Sequence, residues 1–180
     1  SNRGLIKDMR GDLIGAIDDY TKAINLNPKF STAYNNRGIA REKLKQYKLA
    51  INDYTNAIEI NHKYASAYSN RAIALIEIKD YDLAQEDLNM AIKLSPKFAM
   101  AYLNRGIFMT EIRNKHEEAL KDFNMAIFLN SKYTIAYYHR ALVKKELIDL
   151  DGYKLDIEIA ADLGHKKSIE LKNYLLWLCS

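Results

Sequence analysis

Ala33-Tyr34-Asn35-Asn36-Arg37-Gly38 is the stretch that decides the fold, because its pattern of Ala-Tyr-x-x-Arg followed by Gly or Ala returns three more times. The later copies begin at Ala67, Ala101 and Ala136, so they are spaced 34, 34 and 35 residues apart. A repeated segment this short cannot bury its own apolar face, and the copies must therefore stack on one another. The period predicts an all-α solenoid whose function lies on a long shared surface, with no single catalytic pocket.

Alignment of the copies divides the chain into repeats of one predicted domain. The predicted boundaries are 1–30 for a partial repeat, 31–64, 65–98 and 99–133 for complete repeats, 134–167 for a divergent repeat and 168–180 for a C-terminal capping helix. Apolar residues within a repeat follow helical spacing, as in Ala84, Leu88 and Ala91, so each repeat is predicted to form two antiparallel helices. One extra residue near Asn114 predicts a longer turn between the two helices of that repeat.

Small and large side chains recur at fixed places of the repeat. The eighth place holds Gly4, Gly38, Ala72, Gly106 and Ala141, and the twenty-fourth holds Tyr20, Tyr54, Leu88, Phe123 and Ile157. Small side chains let two helix backbones approach each other, and the large residues are predicted to fill the space that remains.

The recurring pattern resembles the tetratricopeptide repeat (TPR) family over essentially the whole chain. The family's order of aromatic, small, Ala, large apolar, Ala and Pro is met by Tyr68, Ala72, Ala84, Leu88, Ala91 and Pro96. The resemblance implies a right-handed superhelix of stacked helix pairs, in which the first helix of each pair lines the concave side. It also implies a role as a scaffold or adaptor in protein–protein interaction.

One departure from the family pattern is systematic, because arginine precedes the small residue of the eighth place in every copy. Aspartate recurs equally strictly on the second helix of each pair. A half-buried arginine is costly unless a carboxylate pairs with it, so structural ion pairs are predicted, with a phosphate-binding row of arginines as the alternative. The predicted pairs are Arg37 with Asp53, Arg71 with Asp87, Arg105 with Asp122 and Arg140 with Asp156.

The first helices carry a stripe of polar and aliphatic residues on the face that the resemblance makes concave. An asparagine amide both donates and accepts hydrogen bonds, so a row of them at repeat spacing suits the backbone of an extended peptide. The row resembles the asparagine ladder of the TPR domain of O-GlcNAc transferases, from which His139 departs. Alternatively, these amides are solvated or bonded to their own helix. The candidate peptide-binding residues are Asn36, Ile39, Asn70, Ile73, Glu77, Asn104, Ile107, Glu111, Tyr138 and His139.

Tyr138 is predicted either as an aromatic anchor for a ligand or as a packing residue against the next repeat. The family's grip on the C-terminal carboxylate of chaperones is disfavoured, because Asn35 and Ile39 stand where it needs Lys and Asn. The acidic edge with Glu77 and Glu111 favours a ligand with some positive charge instead.

Composition and motifs argue against several classes of function. No His or Cys spacing suits a metal and no Gly-rich loop suits a phosphate, so neither a cofactor nor an enzymatic activity is expected. A net charge of +4 without a basic stripe disfavours nucleic acid, and no apolar run is long enough to predict membrane insertion. The single cysteine, Cys179, fits a reducing compartment, and a cytoplasmic location is expected. The sequence begins without Met, so an N-terminal signal or anchor is not excluded.

The sequence therefore predicts a module that binds a polypeptide segment on its concave surface. An alternative is the substrate-recruiting region of a larger enzyme or regulator whose catalytic domain lies outside this chain. A further expectation is homodimerisation through the C-terminal helix, whose apolar residues go all round it.

Overall fold

The computed structural model describes residues 2–178, without the side chains of Leu176 and Leu178. Every regular element in that range is a helix, which confirms the predicted all-α class. The helices are α1 (Asn2–Met9), α2 (Leu13–Leu26), α3 (Ser31–Lys43), α4 (Tyr47–Ile60), α5 (Ala65–Glu77), α6 (Tyr81–Leu94), α7 (Ala99–Glu111), α8 (His116–Leu129), α9 (Thr134–Glu146), α10 (Leu150–Asp162) and α11 (Lys166–Leu178). Within this range, no helix is both long and apolar enough to cross a membrane.

The helices form two compact units. The N-terminal unit runs to Pro96 and the C-terminal unit begins at Lys97. In the N-terminal unit the pairs α1/α2, α3/α4 and α5/α6 pack together, with α2 against α3 and α4 against α5. In the C-terminal unit α7/α8 and α9/α10 are the pairs, α8 packs against α9, and α11 packs against α10.

Short turns with one left-handed residue join the two helices of each pair. The left-handed residues are Gly11 (φ 81°), Lys45 (58°), Lys79 (66°), Asn114 (53°) and Ile148 (63°). Glycine and asparagine adopt this conformation easily, whereas a β-branched residue there is strained. The turn after α7 spans residues 112–115, one residue more than the turn 78–80 after α5, and it absorbs the extra residue near Asn114.

Replacing Ile148 by glycine is expected to raise the free energy of unfolding by about 0.5–1 kcal/mol, because it relieves the left-handed strain. Its side chain is 81% exposed, so little apolar contact is lost with it. Chemical denaturation of both proteins measures the change. Gly11→Ala is the reverse control and should lower the free energy of unfolding. If the Ile148→Gly protein is less stable than wild type, the claim that Ile148 is strained is contradicted.

The turns between pairs rely on asparagine more than on proline. Asn27 Oδ1 accepts a hydrogen bond from the backbone N–H of Lys29 at 3.1 Å. In the same way, Asn61 Oδ1 accepts from the N–H of Lys63 at 3.1 Å and Asn130 Oδ1 from the N–H of Lys132 at 3.2 Å. Such local bonds compete with helix continuation. Helices α4 and α8 therefore end at the expected places, although no proline follows them in the repeat.

The small and large residues of the repeat meet in the core as matched pairs. A Cβ atom placed on Gly38 would lie 2.6 Å from the Tyr54 ring, and one on Gly106 would lie 2.6 Å from the Phe123 ring. Tyr54 and Phe123 are fully buried. In the sequence, the eighth place of the repeat is glycine where the twenty-fourth is aromatic and alanine where the twenty-fourth is aliphatic, as in Ala72 with Leu88. The close approach of a flat ring to the helix backbone therefore requires the absence of a Cβ.

The last helix begins at Lys166, two residues before the predicted cap. Gly164, with φ 91°, is the middle residue of the preceding turn, and His165 caps the new helix through a bond from the Ser168 N–H to its Nδ1 (3.3 Å). The tail of the predicted cap, Cys179 and Ser180, lies outside the described residues.

Candidate functional site

The structure brings each repeated arginine to the aspartate on the second helix of its pair. Arg71 Nε lies 2.7 Å from Asp87 Oδ2 and Nη2 lies 2.8 Å from Oδ1, which is a bidentate pair. The same bonds join the other pairs, at 2.7–3.2 Å for Arg37–Asp53, 2.7–2.8 Å for Arg105–Asp122 and 2.6–2.8 Å for Arg140–Asp156. Arg3 pairs with Asp19 in the partial repeat.

Three of these arginines, Arg37, Arg71 and Arg140, also reach beyond their own pair of helices. Arg37 Nη1 donates to Thr21 Oγ1 of the preceding pair at 3.0 Å, and Arg71 Nη1 donates to Thr55 Oγ1 at 3.0 Å. Arg140 Nη1 donates to Asn124 Oδ1 at 2.7 Å. The guanidinium group therefore ties three helices together, and most of its donors are used within the protein.

Aromatic rings cover the guanidinium groups. The Arg37 guanidinium carbon lies 5.5 Å from the centroid of the Tyr34 ring, and that of Arg140 lies 5.3 Å from the Tyr137 ring. A cation over an aromatic face gains a further attraction. These contacts leave little of the charge open to a phosphate, which had been the alternative ligand for the arginine row.

The carboxylates differ in how many cations they receive. Asp53 has a second partner in Arg41 (2.7 Å) and Asp156 has one in Lys144 (2.9 Å), whereas Leu75 occupies the corresponding place near Asp87. In the partial repeat, the hydrogen bond from Arg3 and the ammonium of Lys7 hold the pKa of Asp19 well below its usual range. Burial raises the pKa of Asp87, and its single arginine only partly offsets that shift.

In the N-terminal unit, the predicted stripe lies on neighbouring helices α3 and α5. Asn36, Ile39, Asn70 and Ile73 are all half-buried, and together they form what we call the asparagine face. Asn70 Nδ2 donates to Asn35 Oδ1 at 3.0 Å, and Asn35 Nδ2 lies 3.4 Å from Asn36 Oδ1. The amides are thus held in place by Asn35, a buried residue that the repeat pattern had not singled out.

The edge of the asparagine face is acidic, but not only through the predicted residues. Glu77 is exposed, and its charge acts on the nearby Glu42. Glu42 accepts from the Tyr54 hydroxyl at 2.8 Å, and burial raises the pKa of Glu42. Lys43 Nζ lies 2.7 Å from Asp8 Oδ1, and its charge only partly offsets the rise in the pKa of Glu42. Among residues 2–178, neither Glu42 nor Glu77 has a cationic partner within salt-bridge distance.

In the C-terminal unit, the predicted residues lie on α7 and α9. Asn104 and Ile107 are half-buried and Glu111 is exposed. The His139 ring stacks on Phe123, with 6.0 Å between the centroids, and burial lowers the pKa of His139 to about 4. Its imidazole is therefore neutral at physiological pH.

Tyr138 packs against the last helix rather than standing alone on the surface. Its ring lies 4.5 Å from the His165 ring, and it packs against the buried cluster of Ala141, Tyr153 and Ile157, against which Leu171 and Leu175 of α11 also pack. This geometry corresponds to the packing role foreseen for Tyr138, although the residue also lines an adjacent cleft. The outer side of α11 exposes Ile169, Tyr174 and Trp177, where contact with a second copy is predicted.

No group of three or more His, Cys, Asp or Glu side chains suits a metal ion within the part of the chain that the structure describes. Two of the four histidines make contacts within the protein. His139 stacks on Phe123, and His165 Nδ1 lies 2.8 Å from Ser168 Oγ.

Family models match three stretches of the chain that together span residues 9–98. Two models described as tetratricopeptide repeat match residues 31–64 and 65–98, and one described as TPR repeat matches residues 9–45. No curated protein sequence matches the chain.

Solved structures share the fold. The TPR domain of Arabidopsis OM64 is 32% identical with a TM-score of 0.60, and the match covers 64% of this chain and 95% of that domain. YrrB, described as a TPR protein with an unusual peptide-binding site, is 19% identical with a TM-score of 0.69, covering 96% of this chain and 89% of YrrB. The first TPR domain of Spaghetti (RPAP3), bound to the HSP90 peptide SRMEEVD, is 25% identical with a TM-score of 0.61, covering 66% and 93%. With the period, the helix pairs and the small–large matching all in agreement, the chain belongs to the tetratricopeptide repeat family.

Proposed function

We propose that this chain is a protein–protein interaction module, and that the asparagine face binds a polypeptide segment in extended conformation. The observation that carries the proposal is the row of oriented amides beside aliphatic side chains on α3 and α5. YrrB and Spaghetti (RPAP3), two structural relatives with peptide-binding sites or bound peptide, support the general mode. The corresponding residues of α7 and α9, including Asn104, Ile107 and Glu111, belong to the proposed surface in the C-terminal unit.

The amides keep capacity for a ligand after their internal bonds are counted. Each asparagine side chain has two N–H donors and a carbonyl oxygen with two lone pairs. The Asn36 carbonyl oxygen accepts one hydrogen bond from the Asn35 amide, and the Asn70 amide donates one N–H to the Asn35 carbonyl oxygen. Because Asn35 fixes both amides, a peptide backbone meets donors and acceptors that are already oriented, which lowers the entropic cost of binding.

The aliphatic row supplies an apolar contribution that does not depend on the peptide's backbone. Ile39 and Ile73 are half-buried and Leu5 of α1 is 42% exposed, so each still presents apolar surface. Covering that surface contributes about 25 cal/mol per Å². Alternate side chains of an extended ligand point toward this row, as in a β-strand.

The acidic edge sets the preferred charge of the ligand. Glu42 and Glu77 lie near each other, and within residues 2–178 neither has a cation at salt-bridge distance, so a Lys or Arg of the ligand at this end relieves their mutual repulsion. A ligand with acidic residues at the same position is disfavoured. The proposed occupant is therefore an extended segment with apolar residues followed by a basic one.

The test is selection from a phage-displayed library of random peptides, followed by isothermal titration calorimetry with one selected peptide. The double variant Asn36→Ala/Asn70→Ala is expected to weaken binding about tenfold or more, because the hydrogen bonds from two side-chain amides to the peptide backbone are lost. Asn56→Ala is the matched control, because its amide bonds to Asn52 O of the same helix, at 2.8 Å and away from this face. The proposal is contradicted if the double variant binds the selected peptide with wild-type affinity, or if the library yields no binder.

A further inference from the structure

A cleft of about 410 Å³ opens in the N-terminal unit, where the turn between α3 and α4 lies beside the end of α5. Its lining residues are Lys45, Gln46, Tyr47, Lys48, Leu49 and Ile78, none of which belongs to the asparagine face. Leu49 is 49% exposed and Ile78 is 39% exposed. Large apolar side chains that remain open together at a cleft are typical of a contact surface.

The rim of this cleft is basic. Lys45 and Lys48 are both exposed, and neither has an acid at salt-bridge distance among residues 2–178. No Asp or Glu lines the cleft. The neighbouring Glu77 is engaged, because burial and then a hydrogen bond with Glu77 raise the pKa of the Tyr47 hydroxyl. The cleft therefore suits an apolar side chain that is flanked by negative charge.

The equivalent cleft of the C-terminal unit has the opposite character. It lies at the turn between α7 and α8 beside Leu147 and has a volume of about 480 Å³. Glu117 takes the place of Lys48 there, and Glu118 takes the place of Leu49. The fold thus tolerates acidic residues at these places, and the basic and apolar lining is a property of the N-terminal unit alone.

The turn between α9 and α10 presents the chemistry that the first cleft lacks. The side chains of residues 146–151 are exposed except for what the turn itself covers, with Ile148 at 81% and Leu150 at 53%. Ile148 has a φ of 63°, at the place that Gly11, Lys45, Lys79 and Asn114 hold in the other turns. A strained, β-branched and exposed residue contributes nothing to the isolated fold, and such outliers are concentrated at sites of contact.

Acidic residues flank the apolar side chains of this turn. They are Glu146, Asp149 and Asp151, all exposed. Asp149 Oδ1 accepts from the Gly152 N–H at 2.9 Å, which fixes the carboxylate at the start of α10. The nearby Lys145 ammonium lies over the Tyr153 ring, 5.9 Å from its centroid. The turn is therefore an apolar projection with an excess of negative charge.

We propose that the turn 146–151 of one copy of this chain docks into the cleft of a second copy. Ile148 packs against Leu49 and Ile78, and the acidic residues of the turn face Lys45 and Lys48. Turn and cleft are different surfaces, so each contact leaves a free cleft on one copy and a free turn on the other, and further copies can add. The assembly uses neither the asparagine face nor a peptide ligand, and it stands independently of the proposed function.

Sedimentation velocity from about 1 µM to about 500 µM protein tests the self-association. We expect the wild type to associate as its concentration rises, and less at high salt, because the charged rim is screened. Ile148→Gly should weaken the association about tenfold or more. Since this variant is expected to be more stable than wild type, the loss cannot come from unfolding. Phe128→Ser is the matched control, because Phe128 is 82% exposed on α8 of the same unit.

A mixing experiment tests the pairing of turn with cleft. The variant Lys48→Glu/Leu49→Glu copies Glu117 and Glu118, so it removes the cleft but keeps the turn. We expect this variant and Ile148→Gly each to be monomeric alone, and their equimolar mixture to form a one-to-one complex that does not grow further.

Three outcomes would overturn the proposal. The first is a wild type that stays monomeric throughout the series, and the second is a mixture of the two variants that does not pair. The third is association that survives Ile148→Gly and is lost in Trp177→Ser, which would assign the contact to the exposed side of α11.

Discussion

Replacing Asp53 by alanine is expected to lower the free energy of unfolding by about 3–5 kcal/mol, the largest effect of any single substitution considered for this protein. The Asp53 side chain is fully buried and receives Arg37 at 2.7 Å and Arg41 at 2.7 Å. Its removal leaves two guanidinium groups without a counter-charge at a site with little access to water. Chemical denaturation followed by far-ultraviolet circular dichroism measures the change.

Two further variants make the Asp53 result specific. Asp18→Ala, on the exposed side of α2, should change stability by less than about 0.5 kcal/mol. Asp87→Ala should destabilise less than Asp53→Ala, because within residues 2–178 Asp87 pairs with one arginine where Asp53 pairs with two, and burial already raises the pKa of the Asp87 carboxyl. Wild-type stability in Asp53→Ala would mean that the repeated pairs are not structural, and that their arginines are reserved for a ligand.

Replacing Gly38 by alanine is the second large effect, with an expected loss of about 1–3 kcal/mol. The new Cβ would lie 2.6 Å from the buried Tyr54 ring, so the ring or the backbone of α3 must move. Alanine is about 1 kcal/mol better than glycine within a helix, and that gain offsets only part of the overpacking. The measurement is again chemical denaturation.

The compensating variant comes from the protein's own third helix pair, where the places of Gly38 and Tyr54 are taken by Ala72 and Leu88. Combining Gly38→Ala with Tyr54→Leu copies this arrangement and should recover most of the lost stability, even though the Tyr54 bond to Glu42 is given up. If Gly38→Ala is as stable as wild type, the matching of glycine to aromatic rings has no structural meaning.

Much of this architecture is predictable from the sequence because the repeat supplies five readings of the same geometry. The period predicts the helix pairs, and the recurrence of Arg and Asp at fixed places predicts that these residues pair. In the four complete pairs, the Arg nitrogen and Asp oxygen atoms lie 2.6–3.2 Å apart. A feature that returns in every copy must satisfy the same local environment each time. Physical requirements such as the pairing of a half-buried arginine then leave few choices.

The features that sequence reasoning missed do not repeat in every copy. Asn35 holds the asparagine face together, but its counterparts are Ser69, Leu103 and Tyr138, so no pattern marks it. Glu42 has no acidic counterpart on α5, where Ile76 stands. Their roles depend on how α3, α4 and α5 stack, which no single helix reveals.

One missed feature did leave a signal. A second cation reaches the buried aspartate from Lys7, Arg41 and Lys144, each four residues after the repeated arginine. Residues four apart share one face of a helix, so this recurrence in three copies pointed toward the same carboxylate. The other two copies hold Leu75 and Met109 there, which hid the pattern.

The central claim is that an extended polypeptide lies on the first helices of the N-terminal unit. Photo-crosslinking tests it most directly, with a library-selected peptide that carries one benzoylphenylalanine and with mass spectrometry to locate the crosslinked residues. The account predicts crosslinks to α3 (Ser31–Lys43) and α5 (Ala65–Glu77), centred on Ile39 and Ile73. Crosslinks confined to α4 (Tyr47–Ile60) and α6 (Tyr81–Leu94) would place the ligand on the second helices and contradict it.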